Sequence, residues 1–188
     1  MQKDASGIRG CEYPAEYLKV KSAVELIAMR DELMSVSATE RAFRRFASEE
    51  MIHWRDERGG GSNAHRLYAP SDVAVGAILS RITSDLGVAD REVLSRISVE
   101  LYRPVDGLHA ITRALASARH GNAVTCRIAV TRDNDSERRF TVAFDLEELI
   151  GARVCVELDL NELLGALIEW LGADDLPPAL ANPPRTPR

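Results

Sequence analysis

The sequence predicts an α+β chain: a mostly helical first part, then a small α/β part with a three-stranded sheet. Three observations predict it. Apolar residues recur at helical spacing in the first half, as in Phe43, Phe46, Ala47 and Met51 and again in Val75, Ile78, Leu79 and Ile82. Alternation with a period of two, fit for strands, appears later, over Val124 to Val130, Arg139 to Phe144 and Val154 to Leu158. Pro104 with Asp106-Gly107 lies between the two regimes and marks a boundary. The organisation expected is a flexible arm over 1–17, a helical domain over 18–104, a C-terminal α+β domain over 105–173 for dimerisation or sensing, and a disordered tail over 174–188.

Each element has a local cause. Leu18-Lys19-Val20 reads as extended, and Ser22 as the cap of a helix through Met34 whose core face is Val24, Leu26, Ile27 and Leu33. Ser37-Ala38-Thr39-Glu40 has capping-box spacing, a hydroxyl and a carboxylate each able to satisfy an orphan backbone N–H. In the helix that follows, Arg41, Arg44, Arg45 and Ser48 fall largely outside the apolar stripe. HWRDER and SNAHRLY are two basic, strand-like arms around Gly59-Gly60-Gly61, a turn that tolerates positive φ. Pro70-Ser71-Asp72 starts the next helix, with Ser71 or Asp72 as its cap, and Gly87 ends it. Asp90 caps a helix carrying Val93, Leu94 and Ile97. Leu108 to Arg119 reads as one helix with Leu108, Ile111 and Leu115 on one face. Asp159 or Asn161 caps a final helix holding Leu163, Leu164, Leu167, Ile168 and Leu171.

Bulk properties narrow the function. Apolar content of 45% and charged content of 28% over 188 residues describe a globular chain with a sizeable core. A formal net charge of -5 excludes a uniformly basic nucleic-acid coat but leaves room for a local basic surface. Cys11, Cys126 and Cys155 are far apart and form no CxxC, so reduced thiols in a cytoplasm are expected and neither metal nor cofactor is. No apolar run approaches the ~20 residues of a membrane span, and the N-terminus lacks the apolar core of a secretory signal. The sequence has no G-x-S-x-G, P-loop or H-E-x-x-H, so no enzyme is expected. Asp145, Glu147, Glu148, Glu157, Asp159 and Glu162 make the C-terminal half acidic, a solvated face or a partner surface.

A helix with outward arginines followed by a basic hairpin is how a winged helix-turn-helix meets DNA. Three segments then carry a family resemblance. Phe43-Arg44-Arg45-Phe46-Ala47-Ser48-Glu49-Glu50-Met51-Ile52 resembles the end of the recognition helix in the MerR family. Arg66-Leu67-Tyr68 followed by Asp72-Val73 resembles that family's junction between wing and helix, and Leu86-Gly87-Val88 with Glu92-Val93 its next turn and helix start. The chain departs from the family in having Arg45-Phe46 for Tyr-Tyr, Glu50 where Gly is usual, and no long heptad helix after Tyr102-Arg103-Pro104. The resemblance implies a MerR-like winged helix-turn-helix over 18–104 with an atypical C-terminal domain.

On this reading Thr39, Arg41, Arg44 and Arg45 enter or flank the major groove, and Arg55, Arg58, His65 and Arg66 reach phosphates or the minor groove. By resemblance, Arg66 and Tyr68 steady the wing's phosphate contacts. The competing arrangement pairs Arg44 and Arg45 with Glu40, Glu49 or Glu50, and Arg66 with Asp72. The expected function is a sequence-specific transcriptional regulator in the cytoplasm. Its expected partners are double-stranded DNA, a second copy of the chain, and RNA polymerase or another protein on the acidic C-terminal domain. The alternatives are a protein-interaction adaptor on a winged-helix fold, or a phage- or plasmid-type architectural DNA-binding factor.

Overall fold

The computed structural model describes residues 17–28, 35–56, 66–132, 138–144 and 154–172. These form an α+β fold. The first part runs β1 (Leu18–Lys19), α1 (Val20–Ala28), α2 (Val36–Ser48), β2 (Arg55–Asp56), β3 (Arg66–Tyr68), α3 (Pro70–Leu86) and α4 (Arg91–Leu101). The second runs β4 (Pro104–Val105), β5 (Leu108–His109), α5 (Ala110–Arg119), β6 (Thr125–Arg132), β7 (Arg138–Phe144), β8 (Val154–Asp159), α6 (Leu160–Leu163) and α7 (Gly165–Leu171). Among the described residues the strands make three antiparallel sheets, ordered β1-β3-β2, β4-β5 and β7-β6-β8.

Helix α3 is the hub. Every residue from Asp72 to Ser80 is buried, so this stretch has no solvent face. A helix apolar on all sides must be covered on all sides, and α1, α2, β3, α4 and α5 all pack against it. Its small residues let those neighbours come close. At Gly76 a Cβ would lie 2.2 Å from Cε2 of Phe43, so α2 and α3 meet ring against backbone. Buried side chains of both halves, from Leu18, Phe43 and Phe46 to Ile111, Ile128, Val142 and Leu167, belong to one cluster.

Several element ends differ from expectation. α1 begins at Val20, directly after the pairing of Leu18 with Tyr68 and Lys19 with Leu67, so Ser22 lies inside its first turn. Its buried residues are Ala23, Val24 and Ile27, with Leu26 only partly buried; Leu33 lies outside the described residues. α2 is capped by Ser35, whose Oγ accepts the Ala38 N–H at 3.2 Å, in place of Ser37. α3 starts at Pro70 after Ala69; Ser71 caps nothing, and Asp72 reaches back to accept the Ala69 N–H at 3.1 Å. Leu108 is in β5, because Asp106 (φ 51) and Gly107 (φ 82) form a tight hairpin turn with both central residues in the left-handed region. The final helix is broken at Leu164 into α6 and α7, and Asp159 caps the first piece by accepting from the backbone of Asn161 and Glu162. The caps at Asp90 and Gly87 and the three strands of the second half stand where the sequence indicates. The expected N-terminal arm, apart from Tyr17, and the tail lie outside the described residues.

Candidate nucleic-acid interface

Helix α2 sorts its side chains by its own period. Thr39, Phe43, Phe46 and Ala47 are buried, whereas Ser37, Arg41, Arg44 and Ser48 recur on the opposite side and are exposed. The helix ends in a Schellman motif: the Met51 N–H donates to the Phe46 carbonyl at 2.9 Å and the Glu50 N–H to the Ala47 carbonyl at 3.4 Å. Glu50 therefore sits at φ 61, where glycine is the ordinary choice. Met51 and Ile52 are buried behind it, and the chain then emerges as His53, Trp54 and Arg55.

The hairpin arms pair in the register Arg55 to Leu67 and Asp56 to Arg66, with β1 closing the far side of β3. The Arg66 guanidinium lies over the Trp54 ring, 4.4 Å from its centroid, and that of Arg55 over Tyr17 at 5.2 Å. Such stacking holds a guanidinium in place while leaving its N–H fork free for an acceptor. Tyr68 packs its ring edge-on against Phe43 with centroids 4.9 Å apart. Burial raises the Tyr68 hydroxyl above its ordinary value; the Arg66 guanidinium, hydrogen-bonded to it, and the Arg44 guanidinium nearby oppose that shift.

Of the residues expected to touch DNA, Arg41, Arg44, Arg55 and Arg66 are at or near this surface. Thr39 is not: it is 0% exposed and its hydroxyl donates to the Ser35 carbonyl, because position 39 shares the helical face of Phe43 and Phe46. Tyr68 is not exposed either: it is 1% accessible and packs against Phe43 in the core. Arg45 turns back over Phe46, 5.1 Å from the ring centroid, with Nε and one terminal nitrogen buried and without a hydrogen-bond partner. Arg58 and His65 lie outside the described residues. Of the carboxylate pairs that compete for these cations, Arg44 does bond Glu40, at 2.9 and 2.7 Å from two of its nitrogens.

The carboxylate expected opposite Arg66 is engaged elsewhere. Asp72 accepts the Tyr102 hydroxyl at 2.6 Å, and the His53 imidazole stands 3.8 Å from the same oxygen. The spacing of the sequence gives no signal for this cluster, since Tyr102 is 30 residues from Asp72. Among the described residues no three His, Cys, Asp or Glu side chains gather as a metal site requires, and no helix is long and apolar enough to cross a membrane. Comparison of the chain with protein-family models, with curated proteins and with solved structures returns no match in any of the three.

Proposed function

We propose that α2 and the adjacent hairpin form a MerR-like winged helix-turn-helix that binds double-stranded DNA, and that the chain is a sequence-specific transcriptional regulator. The observation that carries this reading is the outward stripe of exposed Arg41 and Arg44 on α2, followed by a paired ribbon whose Arg66 and Arg55 are stacked on Trp54 and Tyr17. One surface then offers a helix to a groove and stacked arginines to the flanking phosphates. Arg41 and Arg44 read base edges, where a good bidentate pair with guanine discriminates by ~1–3 kcal/mol. Arg55 and Arg66 hold the backbone and set register, which carries most of the salt dependence.

The Glu40–Arg44 pair is the observation that favours the competing reading, an adaptor whose basic face is neutralised internally. The pair is too weak to keep Arg44 from a stronger acceptor. The pair is exposed, with Arg44 62% accessible, and exposed i,i+4 pairs contribute only ~0.3–0.5 kcal/mol. A base or phosphate contact outweighs it.

The test is selection of bound duplexes from a randomised library, followed by gel shifts across a salt series. Arg41→Ala and Arg44→Ala should cost about tenfold on the selected site and relax its sequence preference. Arg55→Ala and Arg66→Ala should weaken binding to every duplex and flatten the salt slope. A folded chain that retains no duplex at low salt would overturn the reading in favour of the adaptor.

A further inference from the structure

The hairpin has two roots, and one buried carboxylate ties both. His53 precedes β2 by two residues, and Ala69 follows β3 directly. Asp72 accepts the Ala69 N–H through Oδ2 at 3.1 Å, and the His53 backbone N–H is a further hydrogen-bond donor to its carboxyl. The third donor is the Tyr102 hydroxyl, from the C-cap of α4, at 2.6 Å. Asp72 is the one charged side chain among the buried residues described. A charge in that position must be hydrogen-bonded or it is costly, so the three donors are not interchangeable with solvent.

α4 grips the same stretch a second time. Ser98, one helical turn before Tyr102, donates its buried hydroxyl to the Met51 carbonyl. The Tyr102 ring lies against the His53 imidazole with centroids 4.3 Å apart, and the His109 ring meets it edge-on at 5.3 Å. The connection from α2 into the hairpin is therefore held by α4 directly through the Ser98 hydroxyl, and by way of Asp72 through that of Tyr102. None of these groups belongs to the outward basic surface.

We propose that Tyr102 and Asp72 are positioning residues for the ribbon. They fix both roots of the hairpin to α4 and so set where Arg55 and Arg66 stand relative to Arg41 and Arg44. The inference rests on the DNA-binding reading above for its consequence, though not for its geometry. It also makes α4 the element through which the C-terminal half acts on the ribbon, since α4 packs against β7 and α5.

The test is Tyr102→Phe, which keeps the ring and removes only the donor, made in a Trp170→Phe background so that Trp54 is the sole tryptophan. Duplex affinity is measured with and without Arg55→Ala and Arg66→Ala, and Trp54 iodide quenching is measured without DNA. Loss of the hydroxyl should weaken binding about tenfold with both arginines present, leave affinity unchanged once they are absent, and alter Trp54 quenching. An equal loss in both backgrounds would show a general structural effect and overturn the proposal, as would unchanged affinity with unchanged quenching. Ser98→Ala supplies the same comparison should Tyr102→Phe fail to fold. If the parent chain binds no duplex, the DNA reading falls, and quenching alone decides whether the hydroxyl positions the ribbon.

Discussion

Cys126 and Cys155 stand on adjacent strands but differ in what covers them. Cys126 is fully buried on β6, and burial pushes its thiol up to about 12. Cys155 on β8 is exposed. The register sets Cys126 opposite Leu158 and Cys155 opposite Ala129, an odd offset that turns the two thiols to opposite faces of the sheet. Since the thiolate is the nucleophile, iodoacetamide at neutral pH should label Cys155 and spare Cys126 until denaturant is added, as peptide mass mapping will read. Equal labelling of both in the native chain would contradict this burial. Asp72 offers a second measurement at the same scale. Burial raises it above its ordinary 3.8, against the opposing pull of Tyr102, Ala69 and His53. A carboxyl that holds its proton more tightly folded than unfolded contributes most below its unfolded value and loses that contribution as pH rises through the folded one. Asn cannot ionise. The stability of the parent chain minus that of Asp72→Asn should therefore fall as pH rises from about 4, measured by urea unfolding at several pH values. A difference that rises instead would mean the donors outweigh desolvation.

At the scale of elements, two backbone positions set opposite predictions for glycine. Glu50 closes α2 at φ 61, a conformation that costs a residue with a Cβ ~1–2 kcal/mol, partly offset by the extra chain entropy of glycine when unfolded. Glu50→Gly should stabilise by about 0.5–1 kcal/mol in chemical denaturation. Gly76→Ala should do the reverse. Helix propensity alone favours alanine by ~1 kcal/mol, but the new Cβ would meet the buried Phe43 ring at 2.2 Å, and overpacking of this kind costs ~1–3 kcal/mol. A stabilised Gly76→Ala chain would mean that α2 and α3 are not in this contact. The same elements show what the sequence discloses. Periodicity located α2, α3, α4 and the strands β6 to β8, because each buries a whole face and that face is written at fixed spacing. Ends were less legible, since Ser35 and Ser37 are equivalent as caps until Thr39 is known to face the core. The Asp-Gly turn was visible, but its reading as a hairpin and not a boundary depended on pairing of Pro104 with His109. At the candidate interface, the outward stripe of Arg41 and Arg44 followed from spacing alone. The burial of Tyr68, the turning back of Arg45 and the Asp72–Tyr102 bond did not, because each depends on a neighbour distant in the chain.

For the whole molecule the question is whether the two halves unfold together. Leu94, Ile97 and Leu101 of α4, Ile111 and Leu115 of α5, Ile128 and Val142 of the sheet and Leu160 and Leu164 beyond it share one cluster with Phe43, Phe46 and Ile78. α3 has no free side from Asp72 to Ser80, and one of its covers is α5, which follows Pro104. Cutting the contacts on that side would expose apolar surface at a cost of ~25 cal/mol per Å², so neither half should keep its packing once the other is lost. The two tryptophans fall one in each half and make this measurable. Trp54 precedes β2 and Trp170 lies in α7. Emission from single-tryptophan chains made by Trp170→Phe or Trp54→Phe should give coincident urea transitions, with the midpoint matching that of helical circular dichroism, as a two-state unit requires. If Trp170 instead reports a transition well separated from that of Trp54, the halves are independent units divided near Pro104. In that case α4 could not convey the state of the C-terminal half to the ribbon through a shared core.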